Sequence, residues 1–293
     1  MDTTLTPPPL HIPSLLRQYG IKPKKSLGQN FLMDDVAMQR IVKAAQIPPE
    51  CDVLEIGPGL GSLTRHLALV ARQVVAVELD ERLLPVLRDV LAGYPNVTLV
   101  HGDILTININ DILPQSGYWV VANIPYYITS AVIRRLLESP SRPNCLVLTV
   151  QQEVAQRICA TAGEYNLLSL SVQIYGKPCP VIQIPPGAFY PAPKVSSTAI
   201  RIDIYPQPII PTLYLDSFFA LAKAGFSQKR KTLRNALTRG LHTTPDRISD
   251  LLNSVRIDPQ RRAETLSLEE WERLTQAYYQ QLEPKTLRGS IAD

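Results

Sequence analysis

Asn123, Pro125 and Tyr126, in the run Asn123-Ile124-Pro125-Tyr126, place a side-chain amide, a rigid backbone and an aromatic ring within four positions. The apolar stretch Trp119-Val120-Val121-Ala122 before them reads as a buried strand, so the tetrapeptide falls at a strand tip. Such a set can grip the exocyclic amine of a planar base. The Asn123 side-chain oxygen and the carbonyl of Ile124 or Pro125 would accept its two N–H groups, while Tyr126 stacks on the ring. The lone pair of an amine such as adenine N6 is delocalised into the ring and is a poor nucleophile. Two acceptors would favour a pyramidal nitrogen and turn its lone pair toward a methyl donor. Positioning and electrostatics then replace a strong general base. Enzymes that act on an extruded base commonly stack it on an aromatic side chain. Phe189, in the proline-rich stretch at 185–193, is a candidate for the other face of the base.

The methyl donor needs its own site. Gly57-x-Gly59-x-Gly61 follows a strand pattern and opens a helical one. Glycines there let the backbone approach a ligand, and the third permits tight strand–helix packing. The spacing differs from the dinucleotide pattern GxGxxG. Glu78 ends the next strand, where a carboxylate can accept from both hydroxyls of a ribose. Asp103, after His101-Gly102, ends the following strand and can bind an adenine amino group or simply form an Asx turn. Nearer the amino end, Asn30 and the Leu32 backbone can close over a cofactor. These residues favour an adenosine-containing cofactor.

Charge is concentrated. The 293 residues carry a net charge of +4, yet residues 223–262 hold ten Lys/Arg against three Asp, a net +7 that leaves −3 elsewhere. Lys229, Arg230, Lys231 and Arg234 form its densest part, and Lys24 and Lys25 precede Gly28 in a second basic stretch. Such concentration predicts a phosphate-backbone footprint. Four scattered cysteines without a CxxC pair make a zinc site or disulfides an unfavoured reading and fit a reducing compartment. No apolar stretch approaches a membrane span, and the start lacks the basic and apolar regions of a secretory signal. The expectations are no active-site metal, no membrane partner, a cytoplasmic location and a monomer.

Positioning these residues requires an α/β sheet. Apolar strand patterns at 53–56, 74–77, 97–100, 119–122 and 145–150 alternate with helical ones at 36–45, 60–69, 82–91 and 130–137. That alternation predicts a Rossmann-like, mostly parallel sheet with helices on both faces. Ligands of such sheets bind at the carboxyl ends of strands, near the topological switch point, where Gly57, Glu78, Asp103 and Asn123 all fall. A closing strand is expected at 195–204. Beyond Pro206 only helical patterns remain, at 213–224, 231–237, 245–255 and 267–282, the last with a Ser267/Glu270 capping box. The predicted organisation is a flexible tail (1–21), a catalytic domain (22–208) and a small all-helical, basic RNA-binding domain (209–293).

Together these residues resemble the ribosomal RNA adenine N6,N6-dimethyltransferases that act on the small subunit. The stretches KKSLGQNFL (24–32), LEIGPGLGSLT (54–64), VELD (77–80), HGDIL (101–105), NIPYYIT (123–129), VQQEVAQRI (150–158), FYPAPKVSS (189–197) and FSQKRKTLRNAL (226–237) occur in that family's order. The resemblance implies an S-adenosyl-L-methionine-dependent methyltransferase acting in ribosome biogenesis on two adjacent adenosines near the 3′ end of 16S rRNA. Its partners would be that rRNA and the pre-ribosomal small subunit. By motif, cofactor contacts would be Asn30, Leu32, Gly57, Glu78, Asp103 and Asn123, and the target adenine would meet Asn123, Tyr126 and Phe189. The chain departs from the family at Gln152, where Lys is frequent, and at Asn166, where Gly is. Three alternatives stand beside this reading: a large-subunit rRNA methyltransferase of the macrolide-resistance type, an assembly factor with little catalytic role, and a nicotinamide-dependent oxidoreductase on a similar sheet.

Overall fold

The computed structural model describes residues 6–282, apart from residue 116. They fall into two compact units. One comprises the chain up to residue 156 with 177–204, and the other 157–176 with the chain from 205.

The first unit is built on nine strands: β1 (Phe31–Leu32), β2 (Asp52–Ile56), β3 (Gln73–Glu78), β4 (Val97–His101), β5 (Trp119–Asn123), β6 (Cys145–Gln151), β7 (Gly176–Ile184), β8 (Phe189–Tyr190) and β9 (Ser197–Ile204). Seven form one sheet in the order β4-β3-β2-β5-β6-β9-β7, and β1 pairs with β8 in a separate antiparallel ribbon. The pairs from β4 through β6 are parallel, and β9 runs antiparallel to β6. Around the sheet lie α1 (Ile12–Gln18), α2 (Asp35–Ala45), α3 (Ser62–Ala68), α4 (Leu84–Val90), α5 (Ile109–Ile112), α6 (Thr129–Glu138) and α7 (Gln152–Ile158). Val53, Leu54, Val74, Val75, Val120, Val121, Leu146 and Val147 are all buried. This burial of successive residues is why the central strands read as continuous apolar runs rather than alternating ones.

Two features differ from the expectation. Residues 12–18 of the predicted tail form α1, whose Ile12 and Leu16 are buried in a cluster with Leu60, Leu83, Val86, Leu87 and Leu91. Upstream of it, the Pro8 carbonyl accepts from Nη1 of the buried Arg65 at 2.6 Å. Seven helical residues behind a run of prolines carry too little periodicity to stand out. Residues 1–5 of that tail lie outside the described residues. Strand β7 was not anticipated, because Pro178 and Pro180 interrupt it. Its place at the sheet edge explains why they are tolerated: edge positions do not all need a ladder donor.

The second unit contains α8 (Leu167–Gln173), α9 (Leu215–Phe226), α10 (Leu233–Gly240), α11 (Pro245–Ser254) and α12 (Leu268–Gln281). The chain thus contributes residues 157–176 to the helical unit before completing the sheet. Main-chain bonds hold them there: Tyr205 N to Tyr175 O and Ile209 N to Ile174 O, both 2.8 Å, and Gly163 N to Glu264 O at 2.9 Å. Asn166 caps α8, its Oδ1 accepting from the amides of Leu168 and Ser169, which gives this departure from the family pattern a local role. Gln152 Oε1 accepts from Gln183 Nε2 at 3.1 Å. Trp271 is fully buried, edge-on to Phe218 at 6.2 Å and stacked on Phe226 at 5.9 Å. The Ser267/Glu270 capping box is formed and starts α12. Residues 283–293 lie outside the described residues.

Candidate functional site

The order of the sheet reverses beside β2, whose neighbours are β3 and β5. The crevice outside the carboxyl ends of these strands is where a doubly wound sheet holds a ligand. Here it is a pocket enclosing about 990 Å³, solvent-open mouth included. Along this edge stand Asp103 after β4, Glu78 on β3, Gly57 after β2 and Asn123 on β5. At about 4.8 Å per strand, that row spans roughly 14 Å.

The three glycines of the turn have different reasons to be glycine. All take positive φ, +70° at Gly57, +63° at Gly59 and +82° at Gly61. A Cβ on Gly57 would meet nothing within 4 Å, so that backbone is left bare toward the pocket. A Cβ on Gly59 would come within 2.8 Å of the Phe31 ring. At Gly61 it would press on Leu87 and Val90 of α4 and on Leu91 just after it, at 3.2–3.4 Å, so the third glycine does serve packing.

Glu78 is 6% exposed, with Oε2 accepting from Gly59 N at 3.1 Å and Oε1 from Asp80 N at 2.8 Å. Each carboxylate oxygen keeps a second acceptor site for a hydroxyl. Burial pushes its pKa up, and the charge of Asp80 adds to this, against the backbone amides of Asp80, Gly59 and Leu79 that hold it down. Glu55 shares the pocket and is 2% exposed, with Oε2 unpartnered among the described residues. Burial first, with the charge of Glu78 adding to it, pushes the Glu55 carboxyl up to about 8. From sequence alone, Glu55 receives no role of its own. The available signal was an acid inside the apolar run Val53-Leu54-Glu55-Ile56, a position where a carboxylate is rarely buried without purpose.

The loop before β1 is fastened over this edge. Asp80 Oδ2 accepts from Gln29 Nε2 at 2.8 Å, and Gln29 Oε1 accepts from Lys24 N at 2.7 Å. Arg82 binds the same carboxylate at 2.9 and 2.6 Å. The Arg82 hydrogen bond, aided by that of Gln29, lowers the Asp80 pKa to about 2. Neither Gln29 nor Asp80 was singled out from sequence, because this latch joins residues 51 positions apart. Asn123 Nδ2 donates to Asn30 O at 3.0 Å, and Asn30 Nδ2 to Gly28 O at 3.2 Å. A carbonyl can only accept, so the bond to Asn30 fixes the Asn123 amide with Oδ1 left as its acceptor.

Asn30, Leu32, Gly57, Glu78, Asp103, Asn123, Pro125 and Tyr126 all line the one pocket. Asp103 also forms the Asx turn, its Oδ1 accepting from Leu105 N at 2.8 Å, so the local role and the pocket position coexist. The Pro125 carbonyl closes the following turn by accepting from Ile128 N at 3.1 Å, which leaves Ile124 O as the less committed of the two carbonyls. Tyr126 is half-buried, with its hydroxyl 2.7 Å from Ser197 Oγ, and burial raises its pKa.

Phe189 departs from the expectation. It is 2% exposed in the core cluster with Leu32, Met38, Ile184 and Ala188, and it does not line the pocket. The proline-rich loop does not hold its ring out, because Phe189 enters β8 opposite Leu32. Strand alternation then turns Phe189 inward and Tyr190, 40% exposed, outward. Besides Tyr126, the pocket wall carries Tyr127, 59% exposed.

Lys24 and Lys25 are exposed on and beside a short 3₁₀ turn, Lys25–Leu27, that leads into Gly28. In the second unit, Lys229, Arg230 and Lys231 are exposed in the turn between α9 and α10, and Arg234 is half-buried on α10. A helix was expected from residue 231. It starts instead at Leu233, because Thr232 takes the N-cap position and accepts from Asn235 N. Arg261 is committed internally, to Glu270 at 2.5 and 2.9 Å.

The profile of the family described as ribosomal RNA adenine dimethylase matches residues 20–280. The chain belongs to the ribosomal RNA adenine dimethylase family. Ribosomal RNA small subunit methyltransferase A of Dehalococcoides mccartyi (strain CBDB1) is 47% identical over 274 residues, covering 91% of this chain and 94% of the relative. Among solved structures, a dimethyladenosine transferase from Plasmodium falciparum gives a TM-score of 0.75 at 25% identity, over 85% of this chain and 97% of that one. The 23S rRNA methyltransferase ErmE gives 0.70 at 30% identity, over 86% and 100%. Membership in the dimethylase family removes the nicotinamide reading.

S-adenosyl-L-methionine is the cofactor of this rRNA methyltransferase, and the pocket fits it. Two buried carboxyls, Glu55 and Glu78, line the space that would receive it, and Glu55 Oε2 has no hydrogen-bond partner within 3.5 Å among the described residues. The bare Gly57 backbone follows β2, between Glu78 on β3 and Asn123 on β5. Among the described residues no group of three or more His, Cys, Asp or Glu is gathered as for a metal ion, and no helix is long and apolar enough to cross a membrane.

Proposed function

We propose that this protein dimethylates the N6 amines of two adjacent adenosines near the 3′ end of small-subunit (16S) rRNA, in ribosome biogenesis. The observation that carries the chemistry is the fixed amide of Asn123. Its Nδ2 is held by Asn30 O, so Oδ1 is a pre-oriented acceptor at the end of β5. Asn123 Oδ1 and Ile124 O would receive the two N–H groups of adenine N6. Held so, the nitrogen is drawn toward pyramidal geometry with its lone pair exposed, and no rotation of the amide is needed at the moment of transfer. Tyr126, anchored through its hydroxyl to Ser197, would carry the base. Pro125 (φ −54°) stiffens the link between acceptor and ring. S-adenosyl-L-methionine supplies the electrophilic methyl group on its sulfonium. Glu78 would bind the ribose, Asp103 the adenine amino group, and Gly57, Asn30 and Leu32 the cofactor through their backbones or side chains. Each transfer would leave the donor as a neutral thioether and release one N6 proton to water. After the first, one N–H remains, and either acceptor suffices to orient it for the second, from a second donor molecule.

The particle assignment is supported by the 47% identical small-subunit relative and by the basic stretch at 226–237. The likeness to the 23S rRNA methyltransferase ErmE keeps the large subunit as the competing substrate. Lys24, Lys25, Lys229, Arg230, Lys231 and Arg234 are the proposed phosphate contacts. The test is methyl transfer from labelled S-adenosyl-L-methionine to under-methylated small subunits, with the modified nucleoside identified by mass spectrometry. N6,N6-dimethyladenosine is expected. No product despite tight particle binding would favour an assembly factor.

A further inference from the structure

Among the aromatics near the proposed transfer site, Phe189 and Tyr126 are already engaged. Phe189 is buried in the core, and the Tyr126 hydroxyl is tied to Ser197. Tyr127 is different: it lines the pocket yet is 59% exposed, beside a loop that comes very close. A Cβ on Gly28 would lie 3.2 Å from Pro125 Cβ and 3.5 Å from Cδ1 and Cε1 of Tyr127. The Gly28 backbone, at φ +62°, therefore borders the ring along one side. The exposed Lys25 lies just upstream on the same loop, next to Lys24, whose Nζ is 3.7 Å from Asp80 Oδ1.

An exposed ring at a nucleotide-sized pocket, with lysines on the adjoining loop, has the makings of a base-plus-phosphate subsite. Extruding one adenine from an RNA strand also unstacks its neighbour, and that neighbour needs a new π-surface. We propose that Tyr127 is the stacking platform for the nucleobase adjacent to the adenine being methylated, with the Lys24–Lys25 turn toward the intervening phosphate. This rests on the RNA reading above. It adds a subsite that keeps the second of two consecutive bases beside the pocket while the first reacts.

The test uses the full chain and a short RNA hairpin with tandem adenosines, carrying 2-aminopurine either at the target position or at its neighbour. Tyr127→Ala should abolish the quenching of neighbour fluorescence seen with wild type and raise the KM for RNA about tenfold. Cofactor affinity and thermal stability should be unchanged, since the ring is largely exposed. Tyr127→Phe, which keeps the π-face, should behave as wild type. Unaltered neighbour quenching in Tyr127→Ala, loss of quenching at the target position instead, or an equal loss of cofactor affinity would each overturn the platform. Wild-type protein that neither binds nor methylates under-methylated small subunits, assayed alongside, would sink the underlying function as well. Normal methylation by wild type and Tyr127→Ala alike would sink the platform alone.

Discussion

Asn123 shows how a few angstroms of local chemistry set the reaction. Its amide nitrogen donates and its oxygen accepts, and one N–H given to the loop fixes which end is which. Removing the acceptor with Asn123→Ala should slow methyl transfer about 100-fold or more, while rRNA binding survives because few phosphate contacts are lost. Single-turnover transfer beside a filter-binding measurement checks both halves. Glu55 gives a pH signature. Its folded-state carboxyl sits at about 8, against 4.5 as a free side chain. Between those values the native state keeps a proton that the unfolded chain has released, so this residue costs stability increasingly as pH rises through the window. Glu55→Gln should flatten that part of the melting profile, gaining several degrees over wild type at pH 8 and little near pH 4.5. Parallel profiles for the two proteins would contradict the buried-acid account. The tetrapeptide, the glycine turn, Glu78 and Asp103 were legible in the sequence because each depends on type and local spacing. Gln29, Asp80 and Tyr127 were not, since their roles arise from pairing across the fold or from exposure, which no short motif encodes.

At the scale of elements, the loop before β1 is shaped by two attachments, one at Asp80 and one at Asn123. The Asp80 carboxylate stays ionised down to about pH 2, so this attachment persists across the working range and its stabilisation is lost only in strong acid. Either Gln29→Ala or Asp80→Asn should raise the cofactor KM about tenfold with a smaller change in kcat. The double variant should be little worse than the worse single one, as for partners in one interaction. Additive effects would separate the two residues. Gly61→Ala should destabilise the fold by roughly 1–3 kcal/mol, as it combines positive φ with a Cβ pressed on α4. Urea unfolding measures that loss. Most elements were anticipated where periodicity runs long: the central parallel strands, α2, α6 and the capped α12. Strand β7 was hidden by its prolines, α1 by its brevity, and β8 by the loop chemistry around it, which also placed Phe189 on the wrong side of the strand.

Over the whole molecule, chemistry and charge belong to different stretches of chain. The sheet unit carries the pocket, while 223–262 carries a net +7. Replacing Lys229, Arg230 and Lys231 by Ala should weaken RNA binding and reduce the slope of log K against log salt by about 2. An unchanged slope would move the phosphate footprint elsewhere. The boundary between units was only half legible, because the helical unit recruits 157–176 through main-chain bonds that leave no compositional mark. The most direct measurement offers under-methylated small and large subunits together to the enzyme with labelled S-adenosyl-L-methionine and maps the modified positions. Label confined to two adjacent adenosines near the 3′ end of small-subunit rRNA is the predicted result. Label in large-subunit rRNA would contradict it.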